Sequence, residues 1–184
     1  MSINIVVLTP CTSVLSTPRA EGSVPALFEF IKQNPLGLLI TAISSPSYPY
    51  LQSSHIPWVL DGSSTSLDAP AKSRLHGHLP RQNTQVKATI EDASQSSTQV
   101  TKDLMIIFTG LPRHYVSSKF YTETKPSTGK VVPTWNYSAV QVYGKATIYF
   151  DPSSKTSAYL SQQIHDLSEL CRDDVDLIGK MSMS

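Results

Sequence analysis

The stretch VQVYGKATIYF, residues 140–150, carries the clearest structural pattern of the chain. Apolar side chains alternate in it with polar or tyrosyl ones over eleven residues. A period of two is the spacing of side chains on one face of a β-strand. The stretch therefore predicts a long strand with one face in the core.

Three further stretches predict strands on either side of this one. Residues 36–43, LGLLITAI, and residues 104–109, LMIIFT, are short continuous apolar runs, which are typical of buried strands. Residues 74–79, RLHGHL, alternate in the manner of a strand. A polar, low-complexity segment at residues 91–101 separates two of these strands and is expected to form a surface loop.

Three helices are predicted from capping residues and spacing. Ser23 precedes a helical repeat of apolar residues that Asn34 and the following proline end. Asn83 is a good cap for a short helix over residues 84–90. Ser153 begins a final helix with an apolar face. Helices and strands in this order indicate an α+β domain on an antiparallel sheet, and we expect a closed barrel because few residues remain to cover two open sheet faces.

Composition limits the classes of protein to which the chain can belong. Its 184 residues fit one domain with a real core, and no apolar run approaches the ~20 residues that span a bilayer. Cys11 and Cys171 lack C-x-x-C spacing, so neither a disulfide scaffold nor a thiolate metal site is indicated. No basic residue precedes the apolar N-terminus, as a secretory signal would require. We expect a cytoplasmic, soluble protein.

Charge is distributed unevenly along the chain, although its net value is only +1. Residues 71–150 carry ten basic and four acidic side chains, which gives +6. The rest carries five basic and ten acidic ones, which gives −5. The middle is therefore a candidate for binding an anionic ligand or, alternatively, forms a solvated basic face. Common nucleotide-binding and hydrolase motifs are absent from the sequence.

Two groups of residues have chemistry suited to such a ligand. His76 and His78 share one face of a predicted strand, with Gly77 between them and Arg81 following. A third metal ligand is not evident, so we expect no metal but a core histidine or one that bonds an anion, and Gly77 predicts a bulge or a close backbone approach. The second group combines hydroxyls, cations and rings, as a phosphorylated planar cofactor or an ordinary surface loop would: Tyr115, Ser117, Ser118, Lys119, Phe120, Tyr121, Lys125 and Lys130.

Short motifs distributed along most of the chain resemble one family. They are NPLG at residues 34–37, SHIP at 54–57, GHL-x-R-x-N at 77–83, YVS at 115–117 and, most specifically, KVVPTWNY at 130–137. In this order they resemble the PaiB family, FMN-binding split-barrel proteins that are also called negative transcriptional regulators.

The resemblance implies a fold, a cofactor and a set of site residues. The fold is α+β, a six-stranded antiparallel split β-barrel similar to pyridoxamine-phosphate oxidases and flavin reductases, with flanking helices. It forms a homodimer that holds FMN, a planar anionic cofactor, between subunits and has flavin-dependent oxidoreductase activity. Arg81 is the best phosphate ligand, because a guanidinium fork fits phosphate oxygens. The other residues that match the family's cofactor site are Gly77, His78, Asn83, Ser117, Lys130, Val131, Thr134, Trp135, Asn136 and Tyr137.

The chain also departs from the family pattern at both ends. Residues 1–22 are an atypical N-terminal segment, residues 23–171 form the predicted split-barrel domain and residues 172–184 a short tail. A final strand of the family pattern is expected to be missing. Haem bound through His55 or His78, a non-catalytic regulator and a cofactor-free binding module are the alternatives. Direct DNA binding is not expected, because no predicted helix is basic.

Overall fold

The structure is a computed structural model and describes residues 2–8, 23–61, 74–93, 99–111, 113–123, 129, 132–150 and 153–181. Within these residues the chain forms an α+β fold with three helices and antiparallel strands. The elements are β1 (Ser2–Leu8), α1 (Val24–Gln33), β2 (Leu36–Ala42), β3 (Leu51–Pro57), β4 (Val59–Leu60), β5 (Arg74–Pro80), α2 (Thr84–Asp92), β6 (Gln99–Thr109), β7 (His114–Val116), β8 (Thr134–Asn136), β9 (Ala139–Tyr149) and α3 (Ser154–Met181).

Seven of the strands form one sheet in the order β3-β2-β6-β9-β1-β5-β4, and all neighbours are antiparallel. The ladder between β6 and β9 is the longest and runs from Gln99 opposite Tyr149 to Thr109 opposite Ala139. β7 and β8 form a separate two-stranded sheet. The long alternating stretch predicted from the sequence is thus a central strand, β9.

The two edge strands of this sheet, β3 and β4, follow each other directly in the chain. β3 pairs with β2 at one end and β4 pairs with β5 at the other, while only Trp58 separates β3 from β4. Among the described strands, no ladder joins β3 directly to β5. The expectation of a closed barrel is therefore corrected: the chain changes its hydrogen-bonding partner at Trp58 instead of closing the ring with a continuous ladder.

The core lies on the inner face of this curved sheet and is closed by helices. Its inward side chains come from nearly every described strand and include Leu39, Leu75, Ile106, Phe108 and Val142. α1 adds Leu27 and Ile31, and α2 adds Val86. α3 packs outside the sheet against β1, β4 and β5. Each helix therefore covers a different part of the sheet.

Trp58 is the largest side chain of this core and is only 1% exposed. A Cβ atom built on Gly37 would lie 2.8 Å from Trp58 Cδ1, and one on Gly77 would lie 2.8 Å from Trp58 Cε3 and Cζ3. Contacts this short leave no room for a side chain. Glycine at both positions therefore lets the indole ring pack against the backbones of β2 and β5.

Most of the predicted elements are confirmed. The strands at residues 36–43, 74–79, 104–109 and 140–150 and the three helices all form, with bounds shifted by a few residues. β1 was not predicted and lies outside the bounds predicted for the domain, yet it pairs with both β5 and β9. After β9 the described chain is helical to Met181.

Replacement of Gly77 by alanine tests the packing of Trp58. We expect Gly77→Ala to lower the free energy of unfolding by about 1–3 kcal/mol, because the new methyl group overlaps the indole ring. Urea unfolding followed by circular dichroism measures the change. The double variant with Trp58→Leu serves as the control, since the smaller side chain makes room for the methyl group. Simple additivity of the two single changes would show that the glycine and the ring are not coupled.

Candidate functional site

β5 presents two different faces that correspond to its alternating sequence. Leu75, Gly77 and Leu79 are buried in the core, whereas His76 and His78 lie on the opposite face. The two histidines therefore share one face, as predicted. The close approach predicted for Gly77 is also present, but the group that approaches its backbone is the ring of Trp58.

Both histidines have pKa values below their ordinary range, and burial is the main cause. For His76, burial outweighs the opposing effects of Asp61 and Asp166, and Arg74 lowers the pKa further. Asp61 Oδ2 lies 4.0 Å from His76 Nε2. Burial alone lowers the pKa of His78, whose Nδ1 is enclosed without a hydrogen-bond partner among the described residues. Both rings are therefore neutral near pH 7.

The turn from β5 into α2 holds Arg81, the predicted phosphate ligand, and Asn83, another predicted residue of the cofactor site. Arg81 is partly buried in this turn, and the first turn of α2 contains no acidic side chain. Asn83 Oδ1 accepts a hydrogen bond of 2.8 Å from the Gln85 amide, so Asn83 caps the helix as predicted. Its Nδ2 donates to Ser54 Oγ over 3.0 Å. Asn83 thus fixes the start of α2 against β3 and positions the turn that carries Arg81.

A buried polar cluster beneath α2 was not predicted. Gln85 is 2% exposed, and its Nε2 donates to Thr41 Oγ1 over 2.8 Å, while its Oε1 has no partner among the described residues. Both amide atoms of Gln52 are also buried and without a partner there. The adjoining cavity, beside Thr41, Gln85 and Thr89, has room for roughly one water molecule and cannot hold a flavin. The only sequence signal for this cluster was Thr41, a polar residue within the apolar run of β2.

The second predicted group lies on a projecting hairpin that we call the arm. It consists of the described residues between 111 and 137 and continues the β6–β9 ladder, with the Gly110 amide donating to Ser138 O over 3.0 Å. Tyr115 and Trp135 face each other across β7 and β8 with ring centroids 6.2 Å apart. Trp135 is 61% and Tyr137 65% exposed. The arm therefore displays aromatic rings that its own chain does not cover.

The structure describes some of the remaining predicted residues of this group and leaves others undescribed. Ser117 Oγ accepts a hydrogen bond of 3.2 Å from the Lys119 amide and so begins the short 3-10 turn Ser118–Phe120. Thr134 and Asn136 are exposed on β8. Lys130 and Val131 lie outside the described residues. Lys125 also lies outside them, and the described residues of this group are exposed or partly exposed.

The two predicted groups lie at opposite ends of the sheet. The arm begins where β6 ends at Thr109, opposite Ala139 of β9. Arg81 follows the end of β5. In the sheet, this end of β5 lies beside the start of β1, and Asn4 of β1 pairs with Tyr149, at the other end of β9. Ala139 and Tyr149 are ten residues apart, or about 33 Å along an extended strand. One chain therefore does not bring Arg81 and Trp135 together.

A comparison with protein families assigns the chain. The family described as "Putative FMN-binding domain" matches residues 16–177. The chain belongs to this family. The match covers β2 to β9, α1, α2 and most of α3, so both groups of predicted site residues lie within the FMN-binding domain.

Three curated relatives are similar to parts of this domain. An uncharacterized protein of Aspergillus fumigatus is 49% identical over 166 residues, and one of Emericella nidulans is 48% identical over 161 residues. In both cases the alignment covers 84% of this chain but only 64% of the relative. The protease synthase and sporulation protein PAI 2 of Bacillus subtilis is 40% identical over 50 residues, 27% of this chain and 21% of that protein. The chain thus spans less than two thirds of the length of these relatives.

The described residues fit the chemistry of FMN in two separate places. A guanidinium beside a helix start without acidic residues suits a phosphate, and exposed rings suit a flat apolar ring system. Over the described ranges, no three His, Cys, Asp or Glu side chains gather as a metal site would require. No helix in the described part of the chain has the length and apolar character needed to cross a membrane.

The two partly buried histidines predict a loss of stability in mild acid. Because their folded-state pKa values lie below the ordinary 6.5, the unfolded chain binds more protons near and below that pH. The free energy of unfolding is therefore greatest above pH 6.5 and decreases as the pH falls through this region. Urea unfolding at pH 7.5 and pH 5.5 measures the decrease.

The double variant His76→Gln, His78→Gln is the control for this prediction. It lacks both titrating rings, so we expect its free energy of unfolding to change less between the two pH values than that of the wild type. An equal pH dependence in both proteins would assign the loss of stability to other groups.

Proposed function

We propose that this domain binds FMN with the phosphate at the turn between β5 and α2 and that the bound flavin serves a redox reaction. The observation that carries the proposal is the position of Arg81 directly before α2 in a member of an FMN-binding family. The N-terminus of a helix attracts anions, and the first turn of α2 contributes no acidic side chain that would repel one.

Neighbouring residues give this turn the rigidity that a binding site needs. Asn83 is held through both ends of its side-chain amide, by the helix at Gln85 and by Ser54 of β3. The guanidinium of Arg81 is therefore attached to a backbone whose conformation is fixed on both sides. In this proposal Arg81 binds the phosphate and Asn83 positions it.

The aromatic surface of the arm is proposed to contact the flavin ring, with Trp135 and Tyr137 as the principal contacts. Their exposed faces offer apolar area without hydrogen-bonding demands. Flavin, when bound, accepts and releases electrons. The residues of the chain would bind it, orient its ring and exclude water from one ring face.

The proposal includes a six-stranded split barrel and a homodimer. β3 and β4 follow each other with only Trp58 between them, so they can be counted as one strand that is bent at this residue. The sheet then has six strands, and its two ends meet at the bend. A homodimer is proposed because one chain holds Arg81 and the arm at opposite ends of β9.

Titration with FMN tests the phosphate site. We expect Arg81→Ala to weaken FMN binding about 10- to 100-fold, because a charge-assisted hydrogen bond contributes about 1.5–3 kcal/mol. Combination with Lys130→Ala is expected to abolish retention of FMN during purification. Quenching of flavin fluorescence measures the dissociation constant, and riboflavin, which lacks the phosphate, should bind both proteins equally.

Arg74→Ala is the matched control, since Arg74 lies at the opposite end of the same strand. It removes the same charge and is expected to leave the affinity for FMN unchanged. Equal loss in both variants would show that overall charge, not a phosphate site at Arg81, governs binding. An absorption spectrum of the purified protein separates flavin from the haem alternative at His55 or His78, because haem gives a Soret band.

A further inference from the structure

The turn that joins β2 to β3 is a loop of serine, proline and tyrosine, SSPSYPY at residues 44–50, which we call the proline loop. Its base is closed by a backbone hydrogen bond, in which the Ile43 amide donates to Tyr50 O over 2.9 Å. Ser45 is partly exposed, and Pro46 directly after it is exposed. The loop therefore presents a serine followed by a proline at the surface.

The hydroxyl group of Ser45 makes hydrogen bonds in two directions. It donates to Glu91 Oε2, near the end of α2, over 2.6 Å. It accepts from the backbone amides of Ser47 and Tyr48 over 3.1 Å each. A hydroxyl has one proton and two lone pairs, so these contacts use its full capacity. Ser45 thus attaches the proline loop to α2.

Side-chain hydrogen bonds hold α2 on the hairpin of β2 and β3 at both ends of the helix. At its start, Asn83 donates to a serine of β3 and Gln85 donates to a threonine of β2. Near its end, Glu91 accepts from Ser45. The contact near the end differs from those at the start because it lies at the surface, whereas the others are partly or fully buried. An enzyme can therefore reach it in the folded protein.

We propose that Ser45 is a phosphorylation site for a proline-directed serine kinase and that its modification releases the proline loop from the end of α2. In the transfer, Ser45 Oγ forms a bond to the γ-phosphorus of ATP, the bond between that phosphorus and the β,γ-bridging oxygen breaks, and ADP leaves. The hydroxyl proton passes to the general base of the kinase. The binding of FMN has no part in this step.

The residue after Ser45 selects the class of kinase. Among the serines of the chain, Ser45 alone precedes a proline. Proline has no amide proton, so a kinase cleft that lacks an acceptor at this position binds proline without leaving a polar group unpaired. Proline also disfavours the helical conformation of the residue before it and so favours the extended form that peptide-binding clefts accept. Thr9 and Thr17 also precede prolines, but they lie outside the described residues.

Phosphorylation turns the attraction between Ser45 and Glu91 into repulsion. The ester oxygen has no proton to donate, and the phosphate adds a charge of about −1.5 to −2 beside a carboxylate. The C-terminal end of a helix carries a partial negative charge, and the last turn of α2 has no basic side chain to offset it. Lys102 is already paired with Asp92 of this turn. These effects all act against contact between the phosphorylated loop and the end of α2.

The amides of Ser47 and Tyr48 offer the phosphate other partners. Both already donate to the side chain of Ser45, and backbone amides are good donors to phosphate oxygens. The loop can therefore hold the modified side chain by itself once the contact with Glu91 is lost. α2 then keeps the hydrogen bonds at its start and loses the one near its end, so we expect its last turn to open more readily.

Treatment of the whole chain with kinase tests the site. Incubation with magnesium, ATP and either a purified mitogen-activated kinase or a purified cyclin-dependent kinase should place phosphate on Ser45, as mapped by mass spectrometry of proteolytic fragments. Ser45→Ala should lose this phosphate, and Ser47→Ala, the matched control in the same loop, should retain it. Failure of both kinases to modify Ser45 in the wild type would overturn the assignment of the site.

Hydrogen exchange tests the release. In the phosphorylated wild type, the amides of residues 89–92 should exchange about tenfold faster, as the loss of one hydrogen bond allows, while those of the β6–β9 ladder remain unchanged. Unchanged or slower exchange of residues 89–92, as binding of the phosphate by the exposed Lys87 would cause, would overturn the proposed release.

Glu91→Gln separates repulsion by Glu91 from a general effect of phosphorylation. The glutamine side chain still accepts from the Ser45 hydroxyl, but it is uncharged and can donate to a phosphate. Phosphorylation should therefore leave exchange at residues 89–92 unchanged in this variant. Equal acceleration in Glu91→Gln and the wild type would show that Glu91 is not the group that the phosphate repels. These outcomes are independent of the FMN titration, because no cofactor is present.

Discussion

The packing of Trp58 against two glycines is the contact on which the shape of the sheet depends. The ring occupies space that any side chain at Gly37 or Gly77 would fill, so it brings β2 and β5 to the point where the chain leaves one and joins the other. The inner faces of the strands can then enclose a single core, with α1 and α2 contributing buried side chains. A flatter sheet would leave this core open to water.

The same geometry determines where function can be placed. α3 packs against β1, β4 and β5, so it leaves the outer sides of β2 and β6 uncovered. The projecting arm and the turn at Arg81 lie at opposite ends of β9, so a ligand that needs both would have to lie between chains.

Much of the fold could be predicted from local patterns, and the failures have a common cause. Alternation in β9, apolar runs in β2 and β6 and the caps of α1 and α2 are properties of neighbouring residues, and all of these elements formed. β1 was missed because its short apolar sequence resembles many N-terminal segments, and its pairing with β5 and β9 is a long-range property. The same limit applies to the site. Arg81 and Asn83 were found from a motif, but no local pattern reveals that the arm lies far from them or that Gln52 and Gln85 meet beneath α2.

The position of β1 has a consequence for folding during translation. β1 is synthesised before both strands with which it pairs, and one of them, β9, ends at Tyr149. Until that residue has emerged, β1 has at most one finished partner, and the mostly apolar strand SINIVVL keeps a free edge. Sheets with such distant pairings assemble slowly, so we expect this edge to stay unpaired until the whole of β9 has been synthesised.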